Sequence, residues 1–231
     1  MDNFLVWYGV AGIGVVAGLW IGLRNRGALR AVGWTVFIIG LATAYLGPLA
    51  FMPGGGNGDD YYDGGNGIDT ITFPGTTSGV IVDLGAGTAT GAEIDSDTLV
   101  NIENVSGGSG NDQLRGSAGA NTLIGGEGSD RLAGGAASDT LTGGLGSDTF
   151  TGTLAELDGD TITDFMASDR IVIEGSVLDR GRIQLSEDSG NTHLRFLDGK
   201  GKVYSTLRLN GVSWKSFDLA MDGQNTILGS R

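Results

Sequence analysis

The chain contains no cysteine, one histidine and three prolines among 231 residues. Without cysteine there are no disulfides, no thiolate metal sites and no thiol nucleophile, and the redox compartment is left open. The single histidine, His193, removes histidine-based zinc chemistry: no H-E-x-x-H occurs. A Ser-His-Asp arrangement would have to use His193, which sits in NTHLRF. There the alternation turns Leu194 and Phe196 inward and His193 outward. No G-x-S-x-G elbow and no P-loop is present, and no helical pattern follows the glycine pairs as a dinucleotide site requires. The expected reading is a protein that is not an enzyme and has no small-molecule substrate.

Positive charge is also scarce. Residues 54–231 carry 26 acids against 11 bases, a net of −15. Such a field repels nucleic acid and attracts cations. Residues 1–53 hold only Asp2, Arg24, Arg26 and Arg30 as charged groups. They contain two uncharged runs, Phe4–Leu23 of 20 residues and Ala31–Phe51 of 21. Each is long enough, as a helix of about 30 Å, to cross a hydrocarbon core. Trp7, Tyr8, Trp20 and Tyr45 stand near the ends of the runs, where aromatic belts form. The three arginines between the runs place that loop in the cytoplasm and both termini on the far side. No basic segment precedes the first run, so the region is expected to be retained rather than cleaved. Gly14, Gly18 and Gly22 recur every fourth residue on the first run. Such a face lets a second helix approach closely: the other half of the hairpin, or a membrane helix of a partner subunit.

Glycine is abundant, with 44 residues, about one in five against a usual ~7%. It is ordered on a nine-residue period. GGNGDDYYD and GGNGIDTIT occupy 55–72, and five contiguous units run from GGSGNDQLR at 107 to GGLGSDTFT ending at 151. Positions 1, 2 and 4 are glycine, where a loop needs positive φ or close backbone approach. Position 6 is aspartate, a hard oxygen ligand. Position 8 is Tyr62, Ile71, Leu114, Leu123, Leu132, Leu141 and Phe150 in turn. Flanked by small polar residues, position 8 reads as the buried point of a short strand. Two units make an 18-residue coil. Stacked coils would line up their aspartates, which repel unless a cation lies between them. Carboxylates with free carbonyls form the oxygen-only shell that suits Ca²⁺.

These units resemble the RTX, or haemolysin-type, calcium-binding nonapeptide G-G-x-G-x-D-x-U-x. The resemblance implies an all-β parallel β-roll with several Ca²⁺ ions held between loops on the same side. Their ligands would be sixth-position aspartates and loop carbonyls. The latter would come from Gly56, Gly58, Gly65, Gly67, Gly108, Gly110, Gly126, Gly128, Gly144 and Gly146. On this reading Asp112, Asp130 and Asp148 stack at 18-residue spacing and form the better column. The other column, Asn121, Asp139 and Leu157, is expected to bind weakly or not at all, unless Asp158 or Asp160 rescues it. Asp60 and Asp69 fall out of register because an insertion at about 74–105 interrupts the repeat, and Asp97 in IDSDTLV is expected to supply a degenerate sixth position. The expected domains are a two-helix transmembrane hairpin over 1–53, the roll over 54–151 and a β-rich cap over 152–231. The cap is read from short strands in RIVIEG, RIQLSED, THLRFLDG, KVYSTLRLNG and SFDLAMDG.

The expectation for function is a calcium-binding accessory subunit of a larger membrane complex. It would be anchored in a bacterial inner membrane with the roll on the periplasmic side, and its partners would be the bilayer and other transmembrane subunits. The alternatives are an exported haemolysin- or adhesin-like protein using a type I route, or a calcium sensor.

Overall fold

The computed structural model describes residues 38–39, 51–53, 57–212 and 217–230. Gly14, Gly18, Gly22, Gly56 and the run Phe4–Leu23 lie outside them. The regular elements among the described residues are all strands apart from one 3₁₀ turn at Arg180–Arg182. The strands form two sheets, of eleven and nine strands.

The repeats wind as the period dictates. Strands Gln113–Arg115, Arg131–Ala133, Thr149–Gly152 and Arg170–Ile173 pair in parallel in the first sheet. Asn104–Ser106, Thr122–Glu127, Thr140–Leu145 and Asp160–Ile162 pair in parallel in the second. Leu132 is in register with Leu114 and Phe150, and Leu141 with Leu123 and Ile162. Every position-8 side chain is at most 2% exposed, so the core is a double row of these residues between the sheets. Burying each one stabilises the fold by about 1.5–3 kcal/mol.

The insertion is an antiparallel meander, Val80–Asp83, Thr88–Gly91 and Asp95–Val100, built into the first sheet. Its last strand pairs in parallel with Tyr61–Asp63 and its first with Gln113–Arg115. In the second sheet Thr70–Thr72 pairs directly with Asn104–Ser106, so nothing is inserted there. The meander therefore lengthens one wall of the roll only.

Past the repeats, parallel pairing continues through RIVIEG, whose strand Arg170–Ile173 belongs to the roll. Beyond that Val203–Leu209 still pairs in parallel with Asp160–Ile162, and the other pairings are antiparallel. Asn191–Leu197 joins Val203–Leu209 and Ile183–Asp188 in the second sheet. Asn225–Ser230 closes on Arg170–Ile173 in the first, with Phe217–Asp222 outside it. Leu194 and Phe196 are fully buried and His193 is half-buried, in keeping with the alternation.

Of the expected hairpin over 1–53, all but Ile38–Ile39 and Phe51–Pro53 lies outside the described residues, and these two short pieces of the second run and its border are strands. They pair in parallel with Tyr61–Asp63 and Thr70–Thr72. The first repeat strands would otherwise end both sheets with unpaired backbone groups, and apolar chain can satisfy such an edge by pairing as well as it can a helix. No helix among the described residues is long and apolar enough to cross a membrane.

Candidate calcium centre

Each turn between the sheets carries a sixth-position carboxylate inward, and these carboxylates are tied into a ladder. The amide of Asp112 donates to Asp130 Oδ1 (2.8 Å), that of Asp130 to Asp148 Oδ1 (2.9 Å), and that of Asp148 to Asp169 Oδ1 (2.9 Å). On the other side Asn121 donates to Asp139 Oδ1 (2.7 Å) and Asp139 to Asp160 Oδ1 (2.8 Å). Around the insertion the same rung forms with irregular partners. Asp60 donates to Asp97 Oδ1 (2.9 Å), Asp69 to Glu103 Oε2 (2.8 Å) and Val80 to Asp112 Oδ1 (2.8 Å). The structure thus sets Asp97 against Asp60, and gives Asp69 a glutamate that the nine-residue spacing did not single out.

One oxygen of Asp97, Asp112, Asp130, Asp139, Asp148, Asp160 and Asp169 serves the ladder; the second distinguishes the sites. Oδ2 of Asp69, Asp97, Asp130, Asp139, Asp148 and Asp160 is buried and meets no hydrogen-bond donor. Asp112 differs, because its Oδ2 accepts from the Gly108 amide (3.0 Å). Asp169 Oδ2 likewise accepts from Met166 (2.7 Å). A buried carboxylate oxygen without a partner costs several kcal/mol, so this set calls for a counter-ion. The two columns are alike in this respect: Asp139 and Asp160 present the same open oxygens as Asp130 and Asp148. The weak column expected from the sequence rested on the neutral Asn121, on Ala137 in place of a glycine and on Leu157 as its end, with Asp160 as a possible rescue. Leu157 is instead a core residue, 1% exposed, and Asp160 takes the place in the ladder. The turn between the two is three residues longer than the repeat, which shifts the spacing from 18 to 21.

Backbone oxygens stand beside these carboxylates. A Cβ on Gly125 would meet Asp130 Oδ2 and the Gly143 carbonyl, so the space left by the missing side chain is lined by oxygens from two coils. Gly143 holds the same place against Asp148. Position 4 has the other requirement: Gly128 and Gly146 adopt φ of 130° and 140°, which side chains avoid. Among the described residues no three acidic or histidine side chains converge on one point. Each ion would therefore take few carboxylates and complete its shell with carbonyl oxygens and water. Such an all-oxygen set fits Ca²⁺.

Burial raises the acids of the ladder. Asp130 is pushed up to about 7 by burial, then by the charges of Asp112 and Asp148. Asp160 is pushed up to about 7 by burial, then by Asp139, Asp158 and Glu156. Asp97 reaches about 6, and Asp112, Asp139 and Asp148 are raised, all chiefly by burial. A pKa above its unfolded value means the metal-free fold holds extra protons between about pH 4 and 7. Metal-free protein is therefore expected to be most stable near pH 4 and to lose stability as pH rises through about 7. With Ca²⁺ present the sign reverses, because the ion needs the deprotonated form. Thermal melts from pH 4 to 8 with and without the ion check this; parallel profiles would contradict it.

The family model of the RTX calcium-binding nonapeptide repeat matches residues 55–71, 106–141 and 124–154. No curated protein matches the chain. Among solved structures, the AlgE6R3 subunit of the Azotobacter vinelandii mannuronan C5-epimerase is 24% identical. That match covers 72% of this chain and 85% of that one, with a TM-score of 0.31. The extracellular lipase LipA from Serratia marcescens is 19% identical over 72% of this chain, with a TM-score of 0.30. The matched region spans 35% of the lipase chain. With its glycine clock, its ladder of buried aspartates and its match to that repeat model, the chain is a calcium-binding β-roll protein that carries RTX nonapeptide repeats and binds Ca²⁺ at several sites.

Proposed function

We propose that this protein is a non-enzymatic, calcium-stabilised roll displayed outside the cytoplasm, on the periplasmic face of a bacterial inner membrane, and held there by its apolar N-terminal region. The observation that carries the reading is the set of buried Oδ2 oxygens without donors. They make the fold depend on the ion. Extracellular-type sites bind at about 10⁻⁴–10⁻³ M, so they fill outside the cell and stay empty in cytosol. The uncharged run Phe4–Leu23 and the glycines Gly14, Gly18 and Gly22 suit attachment to a membrane and to the helices of a partner complex. With no catalytic constellation in the sequence, the role in such a complex is that of an accessory subunit. The experiment is cell fractionation with protease protection. The protein should resist alkaline extraction from the membrane, and protease should reach the roll only from the periplasmic side. Cleavage from the cytosolic side alone would end the proposal.

A second reading is favoured by the pairing of Ile38–Ile39 and Phe51–Pro53 with the first repeat strands. It uses part of the apolar region as roll. In that reading the chain is an exported RTX protein, and fractionation would find it in the medium.

A further inference from the structure

The loops of the roll differ in what their second amide does. Each loop ends on its sixth-position residue, and its second residue lies four places earlier. In two loops the second amide turns onto the closing residue of its own loop. Gly108 donates to Asp112 Oδ2 (3.0 Å) and Ser117 to Asn121 Oδ1 (2.7 Å). In three others it has a different acceptor. Gly65 donates to Asp63 Oδ1 (3.0 Å), Gly144 to Asp164 Oδ2 (2.7 Å) and Glu156 to Thr153 Oγ1 (3.3 Å). These three loops close on Asp69, Asp148 and Asp160, each of which keeps a buried Oδ2 that meets no donor. All three residues are at most 4% exposed.

Two of the diverting acceptors are carboxylates outside the sixth positions. Asp164 opens its loop, where the preceding loops of that column open with Gly107, Gly125 and Gly143. Its carboxylate spans two neighbouring amides: Oδ1 accepts from Gly143 (2.9 Å) while Oδ2 holds Gly144. Asp63 ends the strand Tyr61–Asp63, and its Oδ1 also accepts from Asn101 Nδ2 (2.9 Å), which fixes it in place. A loop amide must find an acceptor. The carboxylate four residues on is within reach, as Gly108 and Asp112 show. Once that N–H sits on the oxygen, the oxygen is satisfied and gains less from a cation. An oxygen with no donor keeps its lone pairs for a hard ion.

We infer that the acceptor of the second amide decides which sixth-position aspartates hold Ca²⁺, and that Asp63 and Asp164 are positioning residues for Asp69 and Asp148. A second amide sent elsewhere leaves the oxygen to the ion, and one turned inward closes it. Asp112 is then closed, although its loop GGSGND keeps glycine at positions 1, 2 and 4. The choice lies outside the glycine pattern. For Asp69 it rests on the last residue of the unit before, and for Asp148 on the first residue of the next coil. Neither positioning carboxylate has to touch the ion, because each acts through the amide it removes.

The test counts the ions bound by the full-length protein, by equilibrium dialysis against radioactive calcium, with circular dichroism to report the fold. Asp148→Ala removes the oxygen itself and should lose one ion per chain. Asp164→Ala and Asp63→Ala should each lose one ion as well, and the Asp148→Ala, Asp164→Ala double variant should lose no more than either alone. Asp112→Asn should bind the wild-type number. Asp198 serves as the comparison for a carboxylate that only supports backbone. Its Oδ1 accepts the amides of Lys200 (2.8 Å) and Lys202 (2.9 Å) in a hairpin turn of the cap. Asp198→Ala should lower the melting temperature and keep the count. A folded Asp164→Ala that binds the wild-type number overturns the inference, as does the loss of an ion in Asp112→Asn. An Asp164→Ala that stays unfolded in millimolar Ca²⁺ while Asp148→Ala folds overturns it too, since Asp164 would then act beyond that one site. The count does not depend on where the roll is displayed, which fractionation tests separately.

Discussion

Chelation of calcium is expected to unfold the roll. In far-UV circular dichroism the β signal should collapse in EGTA and return with millimolar Ca²⁺. The reason lies in the ladder. Asp130, Asp139, Asp148 and Asp160 are each at most 2% exposed, and each keeps one oxygen without a donor. Removing the ion leaves these charges to desolvation and to each other. At a free concentration of 100 Kd, one site contributes about 2.7 kcal/mol, and four would contribute on the order of 10 kcal/mol. That equals the whole stability of an ordinary domain, about 5–15 kcal/mol. A calcium-free sample with an unchanged spectrum and melting temperature at pH 7.5 would refute this account of the fold.

The largest effect of a single substitution is expected at Gly125. A valine there would push its Cβ into the Asp130 carboxylate and the Gly143 carbonyl, neither of which can withdraw. Both belong to the ladder or to the backbone of the next coil. The substitution therefore damages packing and ion binding together, and it should cost at least about 4 kcal/mol, at the far end of the range for point mutants. Gly119 is the control. A Cβ there meets only Ser117 Oγ, at 3.8 Å, so Gly119→Ala should change stability by less than about 0.5 kcal/mol. Calcium titrations followed by thermal melts of the two variants check both. Equal behaviour would show that the oxygen-lined space at Gly125 is not needed.

Much of this was legible because the repeat is strict. Period, buried position and ligand type can all be read from GGEGSDRLA alone once it recurs. Asp97 could be found because IDSDTLV keeps the aspartate and the alternation of a unit that has lost its glycines. Asp160 was reached only as a possible rescue of its column, and Asp169 escaped, because the spacing was followed too rigidly. Both are followed by strand residues, in DTIT and DRIV, so the second half of the unit is present without its glycine half. The turns before them are longer, and a counted register slips while the ladder does not. The strands at Ile38–Ile39 and Phe51–Pro53 were hidden for another reason. A long apolar run has no period to separate a lipid-facing helix from a strand that pairs with an open sheet.

Every rung of the ladder points the same way: the amide belongs to the earlier coil and the acceptor to the later one. The last acceptor, Asp169, is steadied by its own turn through Met166. Backbone bonds run the other way, from the amides of Arg131, Thr149 and Arg170 to the carbonyls of Asp112, Asp130 and Asp148. Each coil is thus stitched to the next in both senses, so neither neighbour supplies all the donors of a turn. A ribosome or a translocation pore releases the chain head first, and the turn that ends the side-chain ladder is the last part to emerge.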